Sequence, residues 1–411
     1  MKDSNSNTQK QHKSSNLPDR IKTLLEYLNQ NLYGKEEALR LALLSAIAGE
    51  NILLLGASRA DKSTVSRRIA AAFSDFYKNG KINIWNGHYF EYFMNGNDEP
   101  NDIFGPVDRI TKQHQTENYL PNANIVLLDE IWNIRPTVLS TILKIINDKK
   151  YYNGNSIQEA PLLSVIAAAK EISFPPNKPL LAALRDSFTI RVLVNPIQNN
   201  DDFFTSIDSE DDELKPDKEQ KAALLSIEEV KLWQQEINKV ELDKTSKKWI
   251  SGIRESRKDI SDRHWKKIVH ILKTSAFLNG REITNFTDLS LIEYCIWDTD
   301  KQHDNAVNYV GRYLDLDTHI GDIPEQVKAF KDKKELTAFE KQEYASLDEL
   351  INSKIALGKR FKDHVRAEFT NNIFANQQNL DIILEKNDTL IAKLEKEKTE
   401  LNRLHSLYAE K

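Results

Sequence analysis

The 411-residue sequence has a single cysteine, Cys295, which excludes an intramolecular disulfide and any cysteine-based zinc cluster. It lacks any apolar run near the ~18 residues that a membrane-crossing helix needs. The first sixteen residues, MKDSNSNTQKQHKSSN, carry no apolar core, so residues 1–16 read as a disordered polar tail and not as a signal peptide or anchor. There is no basic excess either. A formal net charge of −5 leaves no general footprint for nucleic acid, which disfavours a nucleic-acid motor. These absences point to a soluble protein of the cytoplasm. At 40% hydrophobic residues, the chain has material for the cores of two or three domains.

One local absence is as informative. The segment GASRADKS, residues 56–63, follows a short apolar run at residues 51–55 and precedes residues 64–73, whose apolar positions have helical spacing. A strand that turns into a helix presents backbone amides to anions at the helix N-terminus. With Gly56 opening the loop, Lys62 is placed to reach phosphates and the Ser63 hydroxyl to hold Mg²⁺. The loop nonetheless lacks the second glycine of the G-x-x-x-x-G-K-[ST] pattern, because Asp61 stands there.

A second motif is intact. In IVLLDE, residues 125–130, four apolar residues predict a buried strand, and Asp129 and Glu130 emerge at its C-terminal end, where open α/β sheets bind ligands. Asp129 suits a metal held through water, and Glu130 suits a general base that polarises an attacking water. The pair is also able to cap a following helix, but its place after a phosphate loop favours the chemical reading.

The rest of the chain reads as alternating elements. Residues 90–105 mix aromatics with Asn, Gly, Asp and Pro and suit a loop or hairpin leading into a short helix more than a sheet strand. Residues 136–146 have helical periodicity, Asn153-Gly154 marks a β-hairpin turn, and residues 162–169 and 188–194 read as buried strands. Residues 199–218 are acidic and polar, a mobile linker or alternatively a docking tail for a basic partner. Beyond them the chain is helical, with Trp233, Trp249 and Trp265 as core anchors, and Ser261 caps an amphipathic helix whose first turn carries Arg263. Arg263 is there either a solvated charge or a group placed to swing over a nucleotide. From residue 380 to 408, Leu380, Ile383, Leu390, Leu394, Leu401, Leu404 and Tyr408 follow heptad spacing, interrupted by Asn387 and Glu397. This seam packs either on residues 344–374 of the same chain or on another chain.

The order of YGKEEALRLALLSAIAGENILLLG, PNDIFGP, NYLPNANIVLLDEIW, the Asn-Gly hairpin and SDRHWKKIVHILKTSAFLNGR resembles the MoxR-type AAA+ ATPases, most closely the regulatory ATPase variant (RavA) group. The resemblance covers residues 17–300. It implies an α/β AAA+ P-loop NTPase core, a parallel sheet between helices, over residues 17–198. The residues themselves read further as an acidic linker at 199–218, an all-helical lid at 219–300 and, outside the resemblance, a helical C-terminal arm at 301–411. The resemblance further implies ATP and Mg²⁺ as ligands, a hexameric ring as the homo-oligomer, and a partner with a von Willebrand factor A domain.

Carried over residue by residue, Tyr33 and Gly34 fall where the family's chain runs past the adenine. Lys62 and Ser63 fall on the phosphate loop, Asp129 and Glu130 on the Walker B pair, and Arg263 on the sensor 2 arginine. Asp61 replaces a Gly or Ala, Arg59 another loop glycine, Lys170 the polar sensor 1 residue, and Ser187 the arginine finger. Arg185, two residues earlier, is either a stand-in finger or an ordinary surface arginine.

Each departure has a weight. A carboxylate ~4 Å from a phosphate oxygen costs about 4 kcal/mol per charge pair at an effective dielectric of 20, roughly 10³-fold in affinity, unless Asp61 turns away or pairs with Arg59. Lys170 attracts a γ-phosphate but cannot accept a hydrogen bond from water, which favours binding over hydrolysis. A missing finger costs roughly 10³ to 10⁵ in rate. The expected function is Mg²⁺·ATP binding and hydrolysis at ring-subunit interfaces to remodel or help assemble a protein partner. The alternative is a nucleotide-binding, hydrolysis-impaired scaffold held together by its C-terminal helices.

Overall fold

The computed structural model describes residues 17–57, 61–78, 81–83, 86–170, 179–208, 214–297, 306, 323–330 and 337–409. The expected polar tail and Arg59 lie outside the described residues. The chain divides into two compact units, Met1–Ala306 and Val307–Lys411.

Among the described residues of the first unit, nine strands follow one another: β1 (Ile52–Leu55), β2 (Tyr77–Lys78), β3 (Lys81–Ile82), β4 (Tyr89–Phe93), β5 (Ile125–Asp129), β6 (Lys150–Asn153), β7 (Ser156–Glu159), β8 (Ser164–Ala169) and β9 (Ile190–Leu193). Five make one sheet in the order β4-β5-β8-β1-β9, with every pair parallel. A parallel sheet is covered by helices on both faces, so its strands are continuous apolar runs instead of alternating ones. Ile52 to Leu55 and Ile125 to Leu128 are buried throughout. The starts of the strands are bolted by one buried amide. Asn51 Nδ2 donates to the Ser187 carbonyl at 3.1 Å, and Asn51 Oδ1 accepts from the Val165 amide at 2.9 Å, tying β1 to β8 and to the lead-in of β9.

Three segments differ from expectation. Residues 89–93 form the edge strand β4, in register with β5 from Tyr89 opposite Ile125 to Phe93 opposite Asp129. Its aromatics fit a pleated, half-buried edge, and the polar run after them forms a loop and then the short helix Pro100–Phe104. In the β6–β7 hairpin Asn153 pairs with Ser156, so the turn is Gly154-Asn155, one residue later than expected, with Gly154 at φ 60° as such a turn requires. The expected linker contains a helix, Asn200–Asp208.

The helices Lys218–Ala223, Ile227–Ile237, Lys244–Ser256 and Asp262–Leu278 start at Asp217, Ser226, Asp243 and Ser261. Each of these side chains accepts a backbone N–H within the first turn, worth about 1 kcal/mol apiece. The last of them lies along Glu36–Ala48: His270 Nε2 is 3.0 Å from the Ala48 carbonyl and Lys267 Nζ is 3.3 Å from Glu50. Trp265 is buried, whereas Trp233 and Trp249 are half-buried; Trp233 packs on Phe277 and under the Arg20 guanidinium.

In the second unit, Ala338–Asn371 and Gln377–Ala409 form an antiparallel helical hairpin, with Tyr344 bonded to Asn402 and Lys362 to Asp388. Leu347, Ile351 and Ile355 pack with Ile391, Leu394, Leu401 and Leu404, joined by Ile323, Val327 and Phe330. The heptad seam is thus covered within its own chain.

Candidate functional site

The site is built at the C-terminal edge of the sheet. β1 ends at Gly56, whose amide donates to the Ala169 carbonyl at the end of β8. A Cβ on Gly56 would stand 2.1 Å from the Val194 carbonyl oxygen, so no other residue fits. Residues 58–60 lie outside the described residues. The chain then enters the helix Lys62–Ala71 through Asp61, whose φ of 52° and ψ of 29° are left-handed. That conformation suits glycine, and among other residues Asp and Asn tolerate it best. The Asp61 side chain is exposed and makes no cap bond to its own helix. Lys62 is buried and donates to the Gly56 and Ala57 carbonyls at 2.9 and 2.8 Å. Burial holds its ammonium below the usual lysine range, opposed by the charges of Asp129, Glu130 and Asp61. Its hydrogen bonds go to the two loop carbonyls, and the three carboxylates act on it through their charge. Ser63 follows in the first helical turn.

Asp129 closes β5 and accepts the Glu130 amide on Oδ1 at 2.9 Å. Glu130 also holds a left-handed backbone, at φ 48° and ψ 45°. For a non-glycine residue this is a sparsely populated state that costs of order 1 kcal/mol and persists where the surroundings impose it. Lys170 follows Ala169 at the end of β8, exposed and between the ends of β5 and β1. The structure thus brings Gly56, Asp61, Lys62, Ser63, Asp129, Glu130 and Lys170 to one sheet edge.

Beside this edge is a cavity of about 280 Å³ lined by Gly34, Lys35, Ala38, Val194, Pro196 and Ile197, with Tyr33 half-buried next to Gly34. Lys35, missed by sequence reasoning, is buried and donates to the Asn195 carbonyl at 2.7 Å. Burial lowers its basicity, with Asp61 and Glu36 opposing. Its only sequence signal was adjacency to Tyr33-Gly34.

The arginines lie elsewhere. Arg263 Nη2 contacts the Asn147 carbonyl at 3.4 Å, near the C-terminal end of the helix Pro136–Asp148. Its neighbour Lys267 pairs with Glu50, just before β1. Glu50 and Gly56 stand at the two ends of β1, so the Lys267–Glu50 pair and the Arg263–Asn147 contact place this stretch of the helix toward the N-terminal ends of the strands. In this structure the Arg263 guanidinium rests on the end of the helix Pro136–Asp148. Arg185 ends the helix Pro179–Arg185 at the same edge and pairs with Asp186 at 3.2 Å. Ser187 is 1% exposed, donates to the Ala183 carbonyl and accepts from Asn147 Nδ2. The finger position is interior here and has no room for an arginine.

Ser63 and Asp129 are the residues able to hold a metal. Among the described residues no cluster of three or more Asp, Glu, His or Cys side chains could do so. A sparse donor set fits Mg²⁺, which keeps several waters and takes one or two protein ligands beside phosphate oxygens. No helix of the described residues is long and apolar enough to cross a membrane.

This sheet order, the strand-to-helix loop and the helices after it define an AAA+ α/β fold. Residues 19–235 match the family described as the MoxR domain in the MoxR-vWA-beta-propeller ternary systems, and residues 235–310 match an AAA lid domain. The chain belongs to the MoxR-type AAA+ ATPases. It is similar to two uncharacterized proteins of Methanocaldococcus jannaschii, MJ0812 and MJ0079, each 30% identical over 67% and 69% of this chain and 71% and 72% of theirs. Its fold is similar to the crystal structure of a proposed ATPase from Cytophaga hutchinsonii, with a TM-score of 0.58 and 16% identity over 74% of this chain and 98% of that one.

Proposed function

We propose that the chain binds and hydrolyses Mg²⁺·ATP at contacts between its own copies, in a head-to-tail ring, and uses the cycle to remodel or help assemble a protein partner. The observation that carries this reading is the placing of Lys62, just after β1, and of Asp129 and Glu130, the latter held at φ 48° at the end of β5, at the same edge of one parallel sheet. Loop amides and the first turn of the helix Lys62–Ala71 would cradle the phosphates. Lys62 would exchange its two carbonyl partners for phosphate oxygens, and Glu130 would take the proton of the attacking water. Ser63 and Asp129 would hold Mg²⁺, which when bound spreads the phosphate charge. Tyr33, Gly34 and the cavity beside Lys35 would take the base.

Arg185 and Arg263 share the edge away from their own loop, so they would serve the nucleotide of a neighbouring copy. The ring is then a requirement of the chemistry, and six subunits is its expected size. The family's description supports a von Willebrand factor A domain protein as the partner, with a β-propeller protein as a third member; the proposed setting is the cytoplasm, where ATP is supplied.

A second reading is favoured by Asp61 and by the exposed Lys170: a scaffold that binds nucleotide and hydrolyses it poorly. Phosphate release measured beside nucleotide affinity separates the two. Turnover that falls roughly 10²- to 10⁴-fold in Glu130→Gln with affinity retained supports the ATPase. Tight binding with no turnover in either protein supports the scaffold.

A further inference from the structure

Lys35 carries a charge whose burial the protein compensates only in part. The residue is 2% exposed, yet among the described residues its side chain makes one hydrogen bond, from Nζ to the Asn195 carbonyl at 2.7 Å. A lysine ammonium has three donors. Asp61 and Glu36 oppose the cost of burial through their charge and not through a hydrogen bond, so the ammonium stays below the usual lysine range. A buried charge is costly unless both charge and hydrogen bonds are supplied to it. Two N–H donors of Lys35 have no acceptor among the described residues.

The place of this ammonium says what it is able to meet. Lys35 and Asn195, the two ends of the hydrogen bond, both line the cavity of about 280 Å³, so the ammonium sits in its wall. Val194 belongs to the same wall, and its carbonyl oxygen lies 2.1 Å from where a Cβ on Gly56 would stand. The cavity thus backs onto the first residue of the phosphate loop. Ile197 gives it an apolar side, and its size is near the lower end of small-molecule pockets. Its lining also holds two carboxylates, Glu37 and Asp202, but neither is bonded to Lys35, and Glu37 accepts the Tyr294 hydroxyl. The wall therefore offers a ligand a charged donor.

We propose that Lys35 reads the nucleobase: its ammonium donates a hydrogen bond to a ring nitrogen of the adenine that enters this cavity. The inference rests on the nucleotide reading above and names the residue that selects the base. Adenine presents ring nitrogens as acceptors, among them N3 and N7 on its groove edges and N1 on its pairing edge. A site built around a buried donor rejects an analogue that lacks the acceptor, because the donor is then left buried without its partner.

Binding of ATP and of its 1-, 3- and 7-deaza analogues to the full-length chain tests the assignment, since each analogue replaces one ring nitrogen by C–H. One of the three is expected to bind the wild-type chain roughly 10- to 10²-fold more weakly than ATP does. Lys35→Met keeps the length of the side chain and removes its charge and donors. In that variant ATP is expected to fall to the level of the weak analogue, and the two are then bound alike. Lys35→Gln, uncharged but still polar, serves for the same comparison where Lys35→Met does not fold. Wild-type protein that binds all three analogues as tightly as ATP overturns the proposal, and so does a loss that persists unchanged when Lys35 is replaced. Either result leaves the nucleotide reading standing, whereas a wild-type chain that binds no ATP overturns both.

Discussion

Asp61 and Glu130 hold left-handed backbone at φ 52° and 48°, and among the described residues they are the two non-glycine residues of this kind at the candidate site. At Glu130 the strain aims a carboxylate from the end of a buried strand. At Asp61 nothing is gained by it, because glycine takes that backbone freely and brings no charge. Asp61→Gly is therefore expected to raise ATP affinity, by up to roughly 10³-fold, and to stabilise the fold by about 1 kcal/mol, read from nucleotide titration and chemical unfolding. Lys149 shows the same backbone strain away from the site, at φ 54°. Burial pushes its ammonium down to about 8, with Glu50 opposing and Lys267 adding to the fall. Below pH 8 both folded and unfolded chains carry the proton and the penalty is full. Between about 8 and the ordinary 10.5 the unfolded chain binds the proton that the folded one has released, so this group makes stability rise with pH. Lys149→Gly should raise stability at pH 7 by at least about 1 kcal/mol and flatten that rise, as seen in denaturant midpoints across pH. The strand ends that carry Gly56, Lys62, Asp129 and Glu130 were legible because each ends a short, unbroken apolar run. Lys35 was not, since its burial depends on Asn195, 160 residues away.

At the scale of elements, amphipathic helices and buried strands matched their sequence patterns, and the misses have separate causes. The strand β4 was hidden because an edge strand needs apolar character on only part of its surface, and its aromatics sat beside loop residues. The helix Asn200–Asp208 was hidden among acidic residues that favour solvent, although its three apolar side chains share one face. The heptad seam left two partners open, and the antiparallel hairpin of the second unit closes it inside the chain. Its register depends on Gly358, where the Asn387 side chain donates to the backbone carbonyl at 3.0 Å. A Cβ at Gly358 would already stand 3.1 Å from Ile391. Gly358→Leu should therefore overpack the hairpin, at a cost of about 1–3 kcal/mol, and lower the melting transition of the second unit while nucleotide affinity stays unchanged.

For the molecule as a whole, the lid decides how the site is completed. The lid helix Asp262–Leu278 lies along Glu36–Ala48 with its N-terminus at the sheet's far edge, which carries Arg263 away from its own loop. Mixing subunits tests whether the arginine acts between copies. Glu130→Gln and Arg263→Ala chains are each expected to be impaired alone. An equimolar mixture should recover part of the wild-type phosphate release, because some interfaces then join an intact Glu130 to an intact Arg263. No recovery in a mixed oligomer would place the arginine's role within its own chain. The sequence by itself determined the α/β class, the strand ends that carry Lys62, Asp129 and Glu130, and the capped helices after residue 217, because strand runs, caps and helical spacing are local and each obeys a short-range physical rule. Tertiary structure alone decided that Ser187 is interior, that Arg185 and Arg263 lie toward the sheet edge away from Lys62, and that the heptads pair within the chain. Those outcomes depend on how helices pack across hundreds of residues, which no local spacing encodes.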